Sequence, residues 1–161
     1  MAPLIFLLST FAILYLVNRF ALKQHLSLSV IGRVSMAVML VVTGISHFTN
    51  TGELVQIMPD FMPAKREIVY LTGICELFAV VGLLFDKTFK LTSVMLIIFF
   101  VAILPANIAG SIKQVQFGGM EYGVWYLLFR VPLQIFFIWW VYYFGIKKPA
   151  AERRGHSASL N

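Results

Sequence analysis

The stretch IVYLTGICELFAVVGLLF, Ile68 to Phe85, is apolar along its length and carries one carboxylate, Glu76, near its middle. A run this long reads as a membrane span, since crossing ~30 Å of hydrocarbon takes roughly 20 residues in a helix. An ionised carboxylate at that depth costs at least a few kcal/mol unless it meets a partner or a wet cavity, so it marks a candidate functional site. Reading outward from it, the best partner is Arg130, which lies inside the last apolar run. The sequence therefore predicts a buried ion pair between Glu76 and Arg130.

The rest of the chain fits this setting. Of its 161 residues 60% are hydrophobic and 12% charged, with a mean hydropathy of +0.85, the composition of a polytopic membrane protein with one compact domain. The net charge of +6 comes from basic residues at the ends of apolar runs. They form no basic groove with interleaved aromatics, which argues against a nucleic-acid partner. Cys75 is the one cysteine, so no disulfide can form within the chain. Met1 to Val17 lacks the basic start and small-residue cleavage site of a secretory signal and is expected to remain as a membrane helix.

Five spans fit: Pro3 to Phe20, Ile31 to Phe48, Glu67 to Phe85, Leu91 to Ile108 and Gly123 to Gly145. The expected fold is all-α, a transmembrane bundle in which an N-terminal helix (1–22) is followed by a four-helix core (31–145) and a disordered tail (149–161). Arg19, Lys23, Arg33, Lys87, Lys90, Lys147, Lys148, Arg153 and Arg154 fall on one side of this layout, against Lys65, Arg66 and Lys113 on the other. Basic residues are retained in the cytoplasm, so the N-terminus is expected outside and the C-terminus inside. Tyr122, Trp125 and Tyr126 would belt the last helix at its outer end, and Trp139, Trp140, Tyr142 and Tyr143 at its inner end. The connection Glu53 to Met62 is too short to span and too apolar for a solvated loop. It reads as a re-entrant or interfacial lid on the outer face, with Pro63 in the first turn of the next helix.

Polar side chains gather at one depth. Glu76 would lie ~14 Å and Arg130 ~10 Å from the outer boundary at about 1.5 Å per residue. His47 and Ser46, Tyr70 and Thr72, and Asn107 come nearer the surface, and Gln134 follows Arg130 by one turn on the same helix face. Pro105 and Pro132 each free a backbone carbonyl, which membrane helices tolerate where the carbonyl lines a cavity or meets a polar side chain. His47, Glu76, Asn107, Arg130 and Gln134 are thus the candidate ligand-binding residues of a pocket beneath the lid. The plainer readings stand beside this one. Glu76 and Arg130 would serve equally as a register-fixing ion pair, Asn107 and Gln134 as interhelical hydrogen-bonding groups, and Cys75 as a small packing residue.

Several chemistries are disfavoured. His25 and His156 fall outside the spans, so two histidines are not available at membrane depth for a haem. Neither a Cys/His cluster with metal spacing, a phosphate loop nor a dinucleotide fingerprint is present in the sequence. Any electron carrier would be diffusible and lipid-soluble, or would belong to a partner.

The motifs Gly44-Ile45-Ser46-His47-Phe48, Met58-Pro59 with Met62-Pro63, Val69 through Leu77, Pro105-Ala106-Asn107 and Arg130-Val131-Pro132-Leu133-Gln134 together resemble the DoxX-like family of small membrane proteins. The resemblance covers about Ile31 to Tyr143. It implies a four-helix membrane bundle, to which the first span is an addition, and placement in a bacterial inner membrane. It also implies a choice of roles on one scaffold. The leading expectation is a quinone-linked redox subunit, with a quinone as ligand and a membrane or peripheral oxidoreductase as partner. The alternatives are an assembly or chaperone protein for a partner complex and a small-molecule carrier, the last weakened by the short chain and the lack of inverted repeats. A homo-oligomer is left open.

Overall fold

Asn18 and Ser27 set the first corner of the chain. The Asn18 amide clasps the Leu26 backbone in both directions, donating to its carbonyl at 3.0 Å and accepting from its N–H at 2.9 Å. Ser27 then caps the next helix by accepting from the Val30 N–H at 3.3 Å. These contacts join α1 (Ala2–Phe20) to α2 (Leu28–Thr49). The computed structural model describes residues 2–23 and 25–152 and continues through α3 (Thr51–Ile57), α4 (Lys65–Leu84), α5 (Phe89–Ile112) and α6 (Val124–Tyr142). A 3-10 turn, Met120–Tyr122, precedes α6, and a π-helical turn, Tyr143–Lys147, follows it.

The all-α architecture agrees with the sequence reading, and among the described residues five helices are long and apolar enough to cross a membrane. That is compatible with an integral membrane protein. Its helix ends depart from expectation in three places. α5 continues past Ile108 because Ser111 bonds back to the Asn107 carbonyl (2.8 Å), and the Lys113 N–H closes on the Ala109 carbonyl. Pro63 is not in the first turn of α4: the helix starts at Lys65, after Ala64 turns the chain through a left-handed conformation with φ 49°. The C-terminal segment expected to be disordered is helical over 149–152, where the Glu152 carboxylate accepts from the Ser29 hydroxyl at 2.6 Å beside the start of α2. Residues 153–161 lie outside the described residues.

α2 is the central element, packed on α1, on α4 and on the π-turn, while α5 lies against α6. The main core joins Leu7, Met36, Leu40, Leu96, Phe100, Phe137 and Phe144. Small residues allow the closest approaches. Gly44 and Gly73 meet where α2 crosses α4, and Gly32 sits directly under the Phe144 ring. There the Trp140 indole also donates to the Gly32 carbonyl at 3.0 Å.

Arg33, near the start of α2, is only 7% exposed. Its guanidinium lies 4.0 Å over the Phe89 ring, donates to the Leu83 carbonyl and reaches Asp86 at 3.4 Å. It fastens the α4–α5 turn to α2, with its charge directed to the bundle end opposite α3.

Candidate ligand cavity

Helical spacing assembles the site. Thr43, Ser46 and His47 fall on one face of α2, and Val69, Thr72 and Glu76 on one face of α4. α5 contributes Ile103, Ala106 and Asn107, and α6 contributes Tyr126, Phe129, Arg130 and Leu133. Leu54 and Ile57 of α3 and Met58 after it roof the space, as expected of the lid, and Ala2 and Pro3 of α1 complete the wall. The cavity volume is about 450 Å³, within the usual range for a small-molecule site. Ala2 and Gly118 are the exposed members of the wall and mark its mouth.

The predicted ion pair is not made: no oxygen of Glu76 lies within 4.0 Å of the Arg130 guanidinium. The physical reason is helix adjacency. α4 packs on α2 and α6 on α5, so the two side chains face one cavity from different walls. Glu76, 4% exposed, takes its partners from α2 instead. The Thr43 hydroxyl donates to its Oε2 at 2.6 Å, and His47 Nε2 lies 3.5 Å from its Oε1. The other imidazole nitrogen, Nδ1, is 3.1 Å from both the Val69 carbonyl and the Thr72 hydroxyl.

Arg130 makes no hydrogen bond or ion pair within the described residues, and its Nε is buried without a partner. A buried donor in that condition carries a desolvation penalty of about 1–3 kcal/mol, more when charged, and favours any acceptor that enters. Asn107 lines the cavity, with its amide donating to the Ile103 carbonyl one turn earlier at 3.1 Å. Gln134 is the one candidate residue outside the wall. It is 2% exposed and donates to the Phe100 carbonyl at 2.7 Å, tying α6 to α5 below the cavity. Tyr70 stacks on Phe48 away from the wall, and Cys75 is exposed rather than packed. Thr43 escaped the sequence reading. Its position one turn before His47 was the available signal, yet threonine is too common in membrane helices for that spacing to single it out. No three His, Cys, Asp or Glu side chains gather in metal-binding fashion among the described residues.

An ionic latch holds the lid. Lys113, at the end of α5, donates to the Met58 carbonyl at 3.0 Å and to Asp60 at 2.5 Å, and Lys65 reaches the same carboxylate at 3.4 Å. Lys113, by hydrogen bond and by charge, and then Lys65 hold the Asp60 carboxyl below its ordinary range. A lowered folded-state value means that the latch contributes in full above the ordinary aspartate value of about 3.9 and is lost only as pH falls through the lower one. Lys113→Met is expected to speed amide hydrogen exchange over residues 53–62 several-fold while the spans keep their protection. Added salt should reproduce the effect in the unaltered protein, and acidification from pH 7 to 5 should not. Unchanged exchange in the variant would refute the latch.

A bundle of apolar helices enclosing a partly polar cavity defines the class. The chain belongs to the DUF8561 family, a domain of unknown function, whose match covers residues 36–145 and so takes in four of the five long helices wholly or in large part. No curated protein and no solved structure matches it.

Proposed function

We propose that the cavity binds a lipid-soluble carbonyl compound, a quinone, and that the protein is the membrane subunit of a quinone-linked redox system. The observation that carries this reading is the shared cavity itself. A guanidinium with free donors stands on one wall, and a histidine beside a carboxylate stands on the other. Arg130 would donate to one carbonyl oxygen of the ring. The His47 and Glu76 pair would pass a proton to a ring oxygen for each electron arriving from a partner oxidoreductase, in the membrane or on its surface, and would be refilled from the mouth at Ala2 and Gly118. A quinone-linked redox subunit is one of the roles that the resemblance to DoxX-like proteins implies for this scaffold. The excess of basic residues at the end opposite α3 supports a bacterial inner-membrane orientation with the cavity toward the outer face.

In lipid nanodiscs, a short-chain quinone is expected to bind saturably, and Ala106→Trp, which fills the cavity, to abolish that binding while the fold is kept. Absence of saturable binding to the unaltered protein would sink the proposal. A stoichiometric membrane partner retained by the filled variant would instead favour the assembly role.

A further inference from the structure

Three side chains on the cavity wall determine its charge: Glu76, His47 and Arg130. The Val69 carbonyl can only accept, and it already receives the Thr72 hydroxyl at 2.8 Å. His47 Nδ1, 3.1 Å from that carbonyl, therefore carries a proton and leaves Nε2 facing Glu76 Oε1 at 3.5 Å. The two atoms face each other across side chains only 17% and 5% exposed. Arg130 forms no ion pair or hydrogen bond among the described residues, and its Nε is buried without a partner.

Resting on the reading of the cavity as a ligand site, we infer that it selects an apolar molecule ending in a singly charged oxyanion, and that Arg130 sets this preference. A guanidinium freed of other partners binds such an oxygen through charge-assisted hydrogen bonds. The apolar body would lie along Val42, Ile103, Phe129 and Leu133. Two sources share this chemistry, a long-chain carboxylate and the ionised ring hydroxyl of a hydroxyquinone.

The test compares matched probes in nanodiscs of zwitterionic lipid: a long-chain fatty acid against its methyl ester, and an acidic hydroxyquinone against its O-methyl ether. At least one anion is expected to bind about ten-fold more tightly than its neutral partner, the equivalent of one charged hydrogen bond, and the pair that shows the preference identifies the source. Arg130→Gln should bring each pair close to parity, whereas Arg130→Lys should keep the preference. Equal affinities in the unaltered protein, or a preference that survives Arg130→Gln, would overturn the inference. Should the glutamine variant not fold, the comparison in the unaltered protein still decides, since equal affinities there overturn the inference. Saturable binding of a neutral quinone without anion preference would defeat this inference alone, and no binding of any probe would defeat the cavity reading with it.

Discussion

Replacing Glu76 with leucine is expected to destabilise the bundle by roughly 3 kcal/mol, the lower end of the range for breaking a buried charged pair. Two neighbours soften the loss. The Thr43 hydroxyl can turn to the Met39 carbonyl, already 3.2 Å away, and the His47 imidazole keeps its contacts to the Val69 carbonyl and the Thr72 hydroxyl. Glu76→Gln keeps an acceptor for Thr43 and should cost only about 1 kcal/mol. Arg130→Gln, which breaks no contact among the described residues, should leave the unfolding temperature nearly unchanged. Thermal unfolding in micelles separates these cases. A loss on Arg130→Gln as large as that on Glu76→Leu would mean that the two residues are partners after all.

The second large effect is expected at the crossing of α2 and α4. A Cβ added to Gly73 would stand 2.7 Å from the His47 Cβ and 3.2 Å from the Gly44 carbonyl, an atom that cannot move without its helix. Gly73→Ala therefore forces the helices apart at the point that aims His47 into the cavity. We expect a loss of about 1–3 kcal/mol, in the range of overpacked cores, together with weakened ligand binding. Gly52→Ala, where the added carbon meets nothing within 4 Å, is the control and should change neither property. Equal behaviour of the two variants would refute the tight crossing.

The length and placement of the spans were legible in the sequence because bilayer thickness fixes how many apolar residues a helix needs. The depth of the polar side chains followed from the same count, and His47, Glu76, Asn107 and Arg130 do line one cavity. Which of them touch was not legible. Depth fixes a position along the helix axis but not the angle around it, and Glu76 finds His47 and Thr43 because α4 rests on α2. Gln134 failed for a related reason: one turn below Arg130 is already beneath the cavity floor, where the Phe100 carbonyl claims its amide. At the C-terminal end, polar composition pointed away from helix. The Lys148 N–H donates to the Tyr143 carbonyl, so the last long helix carries its backbone hydrogen bonding through the π-turn, and the Ser29 contact to Glu152 holds that segment beside α2.

Because Cys75 is the sole thiol and is exposed on α4, one residue from the buried Glu76, the native chain already offers a unique attachment point for a spectroscopic label. A spin probe or fluorophore fixed there, quenched by paramagnetic or brominated lipids of graded position, would report how far below the headgroups the carboxylate resides. The immersion of the bundle could thus be surveyed without removing a background cysteine.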